Sequence, residues 1–220
     1  MASSTVENYL KQIYLEQQSL GPELVPMGRL ATAMAVTPGT ATTMIKALAE
    51  ANLVNYEPRS GVRLTRPGEQ LALHVLRRHR LVELFLVKML GLDWSEVHEE
   101  AEHLEHAVSD KVLERMDALL GHPSVDPHGD PIPTPELTID ERDTVRLQDM
   151  DAGDRGVFVR ISDSDPEMLR YLGERGIAPG DRFEVVEKQP FAGPVFVRFG
   201  GETHVLGGTL AQAMRVEVAA

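Results

Sequence analysis

The 220-residue chain has no cysteine, which excludes a disulfide scaffold, a zinc ribbon and a thiol nucleophile together. It has no long apolar run: Leu81 to Leu92, the most apolar segment, is interrupted by Glu83 and Lys88 and falls short of the ~18 residues of a membrane span. The opening residues Met1 to Asn8 carry neither a basic stretch nor an apolar core, so no signal peptide is read there. Internal repeats and low-complexity tracts are absent. Basic residues are outnumbered, with 22 Lys and Arg against 34 Asp and Glu for a net charge of −12. What is present is ordinary globular composition, 42% hydrophobic and 25% charged. A cytoplasmic protein of two or three domains is expected.

The acidity argues at first against nucleic acid, since DNA affinity rests largely on neutralised phosphates. Its distribution softens that. Up to residue 75, Lys11, Arg29, Lys46, Arg59, Arg63 and Arg66 balance Glu7, Glu16, Glu23, Glu50, Glu57 and Glu69, so the acid excess lies downstream.

Periodicity predicts three helices and a hairpin in the first segment. Val6, Leu10, Ile13 and Tyr14 recur at helical spacing, and Gly21-Pro22 stops the run. Pro26 opens a short second helix, and Thr37 caps a third with Pro38 at its first position. Residues 53–57 and 62–65 flank Pro58-Arg59-Ser60-Gly61 as a β-hairpin. Long helices are predicted from Pro67-Gly68 to about Gly91 and from Ser95 to about Leu120. Residues 121–150 are too rich in Pro, Gly and Asp for a helix or central strand. Beyond them short strands at 157–161, 182–186, 195–199 and 214–218, with a helix from Pro166 to about Arg175, point to a small β-barrel. The expected domains are 1–74, 75–142 and 150–220, a mainly α chain with a C-terminal β domain.

Helix, helix, tight turn, helix and hairpin is the winged form of a helix-turn-helix, whose third helix fits the major groove while the wing meets phosphates. Thr37, Pro38, Gly39, Thr40, Thr42 and Thr43 open that helix and Lys46 follows one turn on. Threonine hydroxyls bond bases or phosphates, and Arg59 and Arg63 are the natural phosphate contacts of the wing. Small three-helix domains that bind protein, or nothing, are the plainer alternative.

His98, Glu102, Glu105 and His106 fall at steps of four, three and one, along one helical stripe. His79 and Glu83 make a second stripe on the preceding helix. Mixed carboxylate and imidazole ligands suit divalent transition ions and not the soft thiophilic ones. A Glu/His-rich helix is often only a solvated face, and Glu99, Glu100 and His103 read that way. His-Glu-x-x-His is absent, and Glu100-x-x-His103 matches the di-iron carboxylate motif once where twice is needed.

The combination resembles the diphtheria-toxin-repressor family of metal-dependent transcriptional regulators over nearly the whole chain. The stretches that carry it are His79 to Glu83, Gly91-Leu92-Asp93, Val97 to His106, Pro123-Ser124 through Pro133, and, in the tail, Gly176 to Asp181 and Leu206 to Ala211, which look like the SH3-like domain of that family. The resemblance implies a regulatory site of Glu102, Glu105 and His106 with Asn8, and an ancillary site of His79, Glu83 and His98 completed by acids such as Asp165 and Glu167. It implies a homodimer on palindromic double-stranded operator DNA, with no membrane partner, no small-molecule substrate and no catalytic residues. The iron-responsive branch has cysteine where this chain has Glu102 and methionine where it has Asn8. A hard carboxylate shifts the expected ion to Mn²⁺, with Fe²⁺ the alternative. The manganese branch, in turn, has aspartate and glutamate where this chain has Asn8 and Lys11. Two rival readings remain at this point, a di-metal carboxylate enzyme and a metal buffer with a vestigial helix-turn-helix.

Overall fold

The computed structural model describes residues 3–140, 142–161 and 165–219. They form two compact units, Met1–His79 with Pro133–Thr138 and Arg80–Ile132 with Ile139–Ala220. Among the described residues no helix is long and apolar enough to cross a membrane.

The first unit begins with α1 (Ser4–Leu20), capped by the Ser3 hydroxyl and stopped at Gly21 with φ +66°. Then come α2 (Met27–Ala33) and α3 (Pro38–Glu50), where Thr37 Oγ1 accepts from the Thr40 amide at 3.2 Å and Pro38 fills a position that needs no donor. β1 (Val54–Glu57) and β2 (Gly61–Leu64) pair antiparallel with Val54 opposite Leu64, and Val25 bridges to Val62 beside them. Leu10, Ile13, Leu30, Ala41, Ile45 and Val62 are fully buried. Each large apolar side chain so buried contributes about 1.5–3 kcal/mol. Pro26 is the cap of α2 rather than its first residue.

α4 (Arg66–Leu90) runs unbroken across residues 74 and 75, so the expected domain boundary there falls inside a helix. The expected single helix from Ser95 to Leu120 is two, α5 (Val97–Leu104) and α6 (Asp110–Leu119). The Ser109 hydroxyl accepts from the Val112 amide and starts a new helix, and Glu105 and His106 lie in the intervening turn. In the second unit Leu81, Leu84, Leu113 and Ile132 form one apolar cluster, and Val82, Leu86, Val97 and Ala101 another.

The tail is a six-stranded antiparallel sheet in the order β3-β8-β4-β5-β6-β7, composed of β3 (Val145–Arg146), β4 (Arg155–Ile161), β5 (Arg182–Lys188), β6 (Val195–Phe199), β7 (Glu202–Leu206) and β8 (Met214–Val218). α7 (Pro166–Gly173) and α8 (Gly208–Ala213) accompany it. Phe158, Ile161, Leu169, Leu172, Val185, Val197 and Leu206 fill its core, with Trp94 packed against them. Two strands, β3 and β7, and helix α8 carry too weak an alternation to be read in advance. Pairing supplies what their own sequence lacks, since β7 is set against β6 along its whole length.

The loop before the sheet is clamped onto it. The Ile161 amide donates to the His128 carbonyl at 3.0 Å, and Arg160 Nη1 reaches Asp130 at 3.1 Å. Gly129 has φ +88°, and a Cβ there would lie 1.9 Å from the Val159 carbonyl oxygen. Gly129→Ala is therefore expected to cost about 3 kcal/mol or more in urea denaturation, from left-handed strain plus the clash. A loss below about 0.5 kcal/mol, the range of an ordinary surface change, would contradict this close approach.

Candidate metal centre

Helical spacing puts His79 and Glu83 one turn apart on α4. His79 is buried, and its Nδ1 accepts from Lys11 Nζ at 3.4 Å within the first unit. In the second unit Glu83 is 1% exposed and faces two imidazoles. Its Oε1 lies 3.4 Å from His98 Nδ1, and its Oε2 lies 3.8 Å from His128 Nδ1. His98 Nε2 points on to Glu102 Oε1 at 3.9 Å, so His98 touches carboxylates assigned by resemblance to two different sites. Glu105 is fully buried with His106 Nε2 3.3 Å from its Oε1. Glu99, Glu100 and His103 are exposed, as a solvated face requires.

The loop after α6 brings in two further ligand-type side chains that no helical pattern announces. Asp126 Oδ1 accepts from the amides of His128 at 2.8 Å and Asp130 at 2.9 Å, which folds the loop around its own carboxylate. Asp93 does the same in the turn before α5. It accepts from the Ser95 amide and hydroxyl, and these bonds hold its carboxyl below the usual range. Next to Asp93, the Trp94 carbonyl accepts from His128 Nε2 at 2.8 Å, and the two rings stack with centroids 5.9 Å apart. Ligand-type atoms of Glu83, Asp126 and His128 all lie within 4.8 Å of one another, and all three residues are buried. The signal that could have found them is the density of ligand types in Asp126-Pro127-His128-Gly129-Asp130, a loop otherwise read only as a breaker.

Asp165 and Glu167 stand apart. Asp165 Oδ1 caps α7 by accepting from the Glu167 and Met168 amides at 3.0 and 3.4 Å, and Glu167 is exposed. Neither belongs to a cluster of ligand atoms among the described residues.

On α3, Thr37, Pro38, Gly39, Thr40, Thr43 and Lys46 are exposed, while Thr42 is half-buried and returns its hydroxyl to the Pro38 carbonyl at 2.7 Å. Arg59 is exposed at the wing tip with φ +71°. Arg63 is turned inward, its Nη2 donating to the carbonyls of Gly21, Pro22 and Glu23, so it secures the α1–α2 connection rather than extending from the wing.

The match to known proteins follows this layout. Residues 1–62 match the iron dependent repressor N-terminal DNA binding domain, 65–134 its metal binding and dimerisation domain, and 145–218 the FeoA domain. The iron-dependent repressor IdeR of Mycobacterium bovis is 33% identical over 97% of this chain and 96% of its own. The diphtheria toxin repressor of Corynebacterium glutamicum is 31% identical with the same coverage. The chain belongs to the diphtheria-toxin-repressor family. It is thus a metal-dependent transcriptional regulator and not an enzyme. Among solved structures, a manganese-dependent transcriptional repressor in complex with manganese is 42% identical, with a TM-score of 0.90 over 97% of this chain and 100% of that one. In such a regulator the cysteine-free donor set fits a divalent ion of intermediate hardness, bound by oxygen and imidazole nitrogen.

The buried carboxylates carry a measurable cost. Desolvation first, then the charges of Asp130 and Glu83, push the Asp126 carboxyl well above its ordinary value against the pull of Arg80. The native state therefore holds this proton more tightly than the unfolded chain. The group's contribution to stability is full below the unfolded value of about 3.9 and is lost as pH rises through the folded value. In chelator at pH 7, Asp126→Asn is expected to raise the melting temperature, by about 2–4 °C for each kcal/mol recovered. The gain should vanish below about pH 4. A lower Tm at pH 7 would mean that the Arg80 ion pair outweighs burial.

Proposed function

We propose that the protein is a repressor that binds palindromic operator DNA as a homodimer when Mn²⁺ is bound, Fe²⁺ being the alternative ion. The observation that carries this reading is the cluster of buried carboxylates and imidazoles around Glu83 and Glu105, in a chain whose winged helix exposes a threonine-rich face. Support for Mn²⁺ comes from Glu102 and the absence of cysteine, together with the 42% identity to a manganese-dependent repressor. We assign Glu102, Glu105, His106 and Asn8 to the regulatory ion, and His79, Glu83 and His98 to the ancillary one. Lys11 places an ammonium on His79 Nδ1, a positive charge that disfavours a second cation at the same nitrogen.

A bound divalent ion would add positive charge among the crowded carboxylates. Without it Glu83, Glu102 and Glu105 repel one another and hold the DNA-binding unit loosely. With their charge compensated, Asn8 and the 102–106 segment fix that unit in one arrangement. The exposed face of α3, Thr40, Thr43 and Lys46, then enters the major groove, with Arg59 on the flanking phosphates. The N-terminal segment has little net charge to contribute, so one winged helix binds weakly. Two, spaced about 34 Å apart on successive grooves, supply the affinity. Met89, Leu90, Leu104, Val112 and Leu119 are exposed on the helical part of the second unit, and Val112 and Leu119 share one face of α6. Such an apolar surface is what a homodimer interface needs.

Fluorescence anisotropy on a random double-stranded DNA pool, in chelator and then with Mn²⁺, Fe²⁺ or Zn²⁺, tests the reading. Mn²⁺ is expected to tighten binding at least about tenfold, ~1.4 kcal/mol of coupling, and bound sequences should converge on a palindrome. His106→Ala should remove the gain while leaving the metal-free affinity unchanged. Equal affinity with and without metal would leave a metal buffer as the better account.

A further inference from the structure

We propose that Arg146, Arg215 and Arg160, which stand side by side across three strands of the C-terminal sheet, form an oxyanion site that takes a phosphate group. The site is separate from the metal ligands and from the winged helix, and it does not depend on which ion the protein binds.

Strand register builds the row. Arg146 of β3 lies directly opposite Arg215 of β8, and Arg215 lies directly opposite Arg160 of β4. Residues paired in this way hold their Cβ atoms about 4.5–5.5 Å apart on one face of a sheet. Met214 and Val216, on either side of Arg215, are buried in the core, so the arginines occupy the opposite face. The register of β4 shifts between Phe158 and Arg160. That extra residue sets Arg160, rather than Val159, opposite Arg215, which is how a bulge re-aims a side chain.

Like charges directly opposite each other destabilise a sheet, and here two such pairs are consecutive in a chain with 34 acids against 22 Lys and Arg. The same sheet also carries the ordinary solution. Arg155, Glu184 and Arg198 lie in register on β4, β5 and β6, and Glu184 pairs with the two arginines at 3.2 and 2.8 Å. In the row of three arginines the central place has no acid. Arg160 meets Asp130 at 3.1 Å, an acid it shares with Arg80 at 3.8 Å. Among the described residues Arg146 and Arg215 have no ion pair, and Arg215 is half-buried. Desolvation first, then the charges of Arg160 and Arg146, lower the pKa of Arg215 against the pull of Asp149. Two uncompensated guanidinium groups match a phosphate monoester of about −1.5 to −2 charge, or two successive diesters of a nucleic-acid backbone. Their planar N–H forks bond phosphate oxygens in pairs. A carboxylate, with one charge, would leave the row still repulsive.

The first arm of the test titrates inorganic phosphate calorimetrically into the full-length protein, stripped of metal on a chelating resin, at low salt. The double variant R146Q/R215Q is expected to bind phosphate at least about tenfold more weakly than the wild type, ~1.4 kcal/mol. R155Q should bind as the wild type does, because Glu184 keeps its pair with Arg198. Circular dichroism confirms folding, and R146Q alone, at the exposed sheet edge, serves as the variant least able to disturb the core. The second arm measures affinity of the Mn²⁺-loaded protein for duplex DNA against KCl concentration. A slope of log K on log[salt] lowered in magnitude by about 1.8 in the double variant, ~0.9 for each lost contact, assigns the site to the DNA backbone. An unchanged slope with weakened phosphate binding assigns it to a free phosphate group. The first arm uses neither metal nor DNA, so it stands whether or not metal gates DNA binding. If R146Q/R215Q matches the wild type in both arms, the row is a charged face without a ligand and the proposal falls.

Discussion

A carboxylate removed from water must be neutralised or paired, and Glu83 is the residue on which that requirement falls hardest. It is 1% exposed at the middle of α4, where an uncompensated charge would cost several kcal/mol. Its neighbours are two imidazoles and another buried acid, Asp126. A divalent ion bound among these side chains would add positive charge where two buried acids lie close together. A centre of this kind would respond to metal to the extent that it gains from the ion. Only a state that gains much from an ion can be shifted by one.

The surrounding fold holds that centre steady from several directions. α4 contributes Glu83 on one face while Leu81, Val82, Leu84 and Leu86 anchor the helix in two apolar clusters. The Asp93 turn fixes the start of α5 and delivers the Trp94 carbonyl to His128. Gly129 lets the 126–130 loop lie against β4, which ties the ligands of that loop to the C-terminal sheet. Backbone contacts of the loop thus connect the sheet domain to the ligand-type side chains around Glu83, while Asp165 and Glu167, the acids expected to join from its edge, lie outside any such cluster among the described residues. Asp165, for instance, spends its oxygen on the α7 cap.

The parts legible in sequence are those governed by short-range rules. Thr37-Pro38 announced α3, Gly21 the end of α1, and the run around Pro58 to Gly61 the wing, because caps and turns depend on neighbours in the chain. The stripe of His98 and Glu102 and the pair His79 and Glu83 followed from helical spacing. The break between α5 and α6 is hidden in the sequence because the polar stripe continues through it, and the Ser109 cap that starts α6 is plain only in the fold. β7 and α8 are stabilised by partners distant in sequence, which local patterns do not encode. Asp126 and His128 were missed for a different reason. A loop has no period from which to infer a face, so its ligands emerge only when tertiary contacts aim them. Arg63 likewise has the composition of a phosphate contact, and its three carbonyl partners are visible only in the fold.

Reciprocity is the most direct consequence of a metal-gated repressor, since whatever factor the ion adds to DNA affinity the DNA must add to ion affinity. Calorimetric titration of Mn²⁺ into the full-length protein, alone and with a selected palindromic duplex in excess, measures that factor. Mn²⁺ affinity is expected to be at least about tenfold higher in the presence of DNA, equal to the gain seen in the opposite direction. Identical Mn²⁺ affinity with and without DNA would contradict it, because the metal centre and the DNA-binding unit would then be energetically independent.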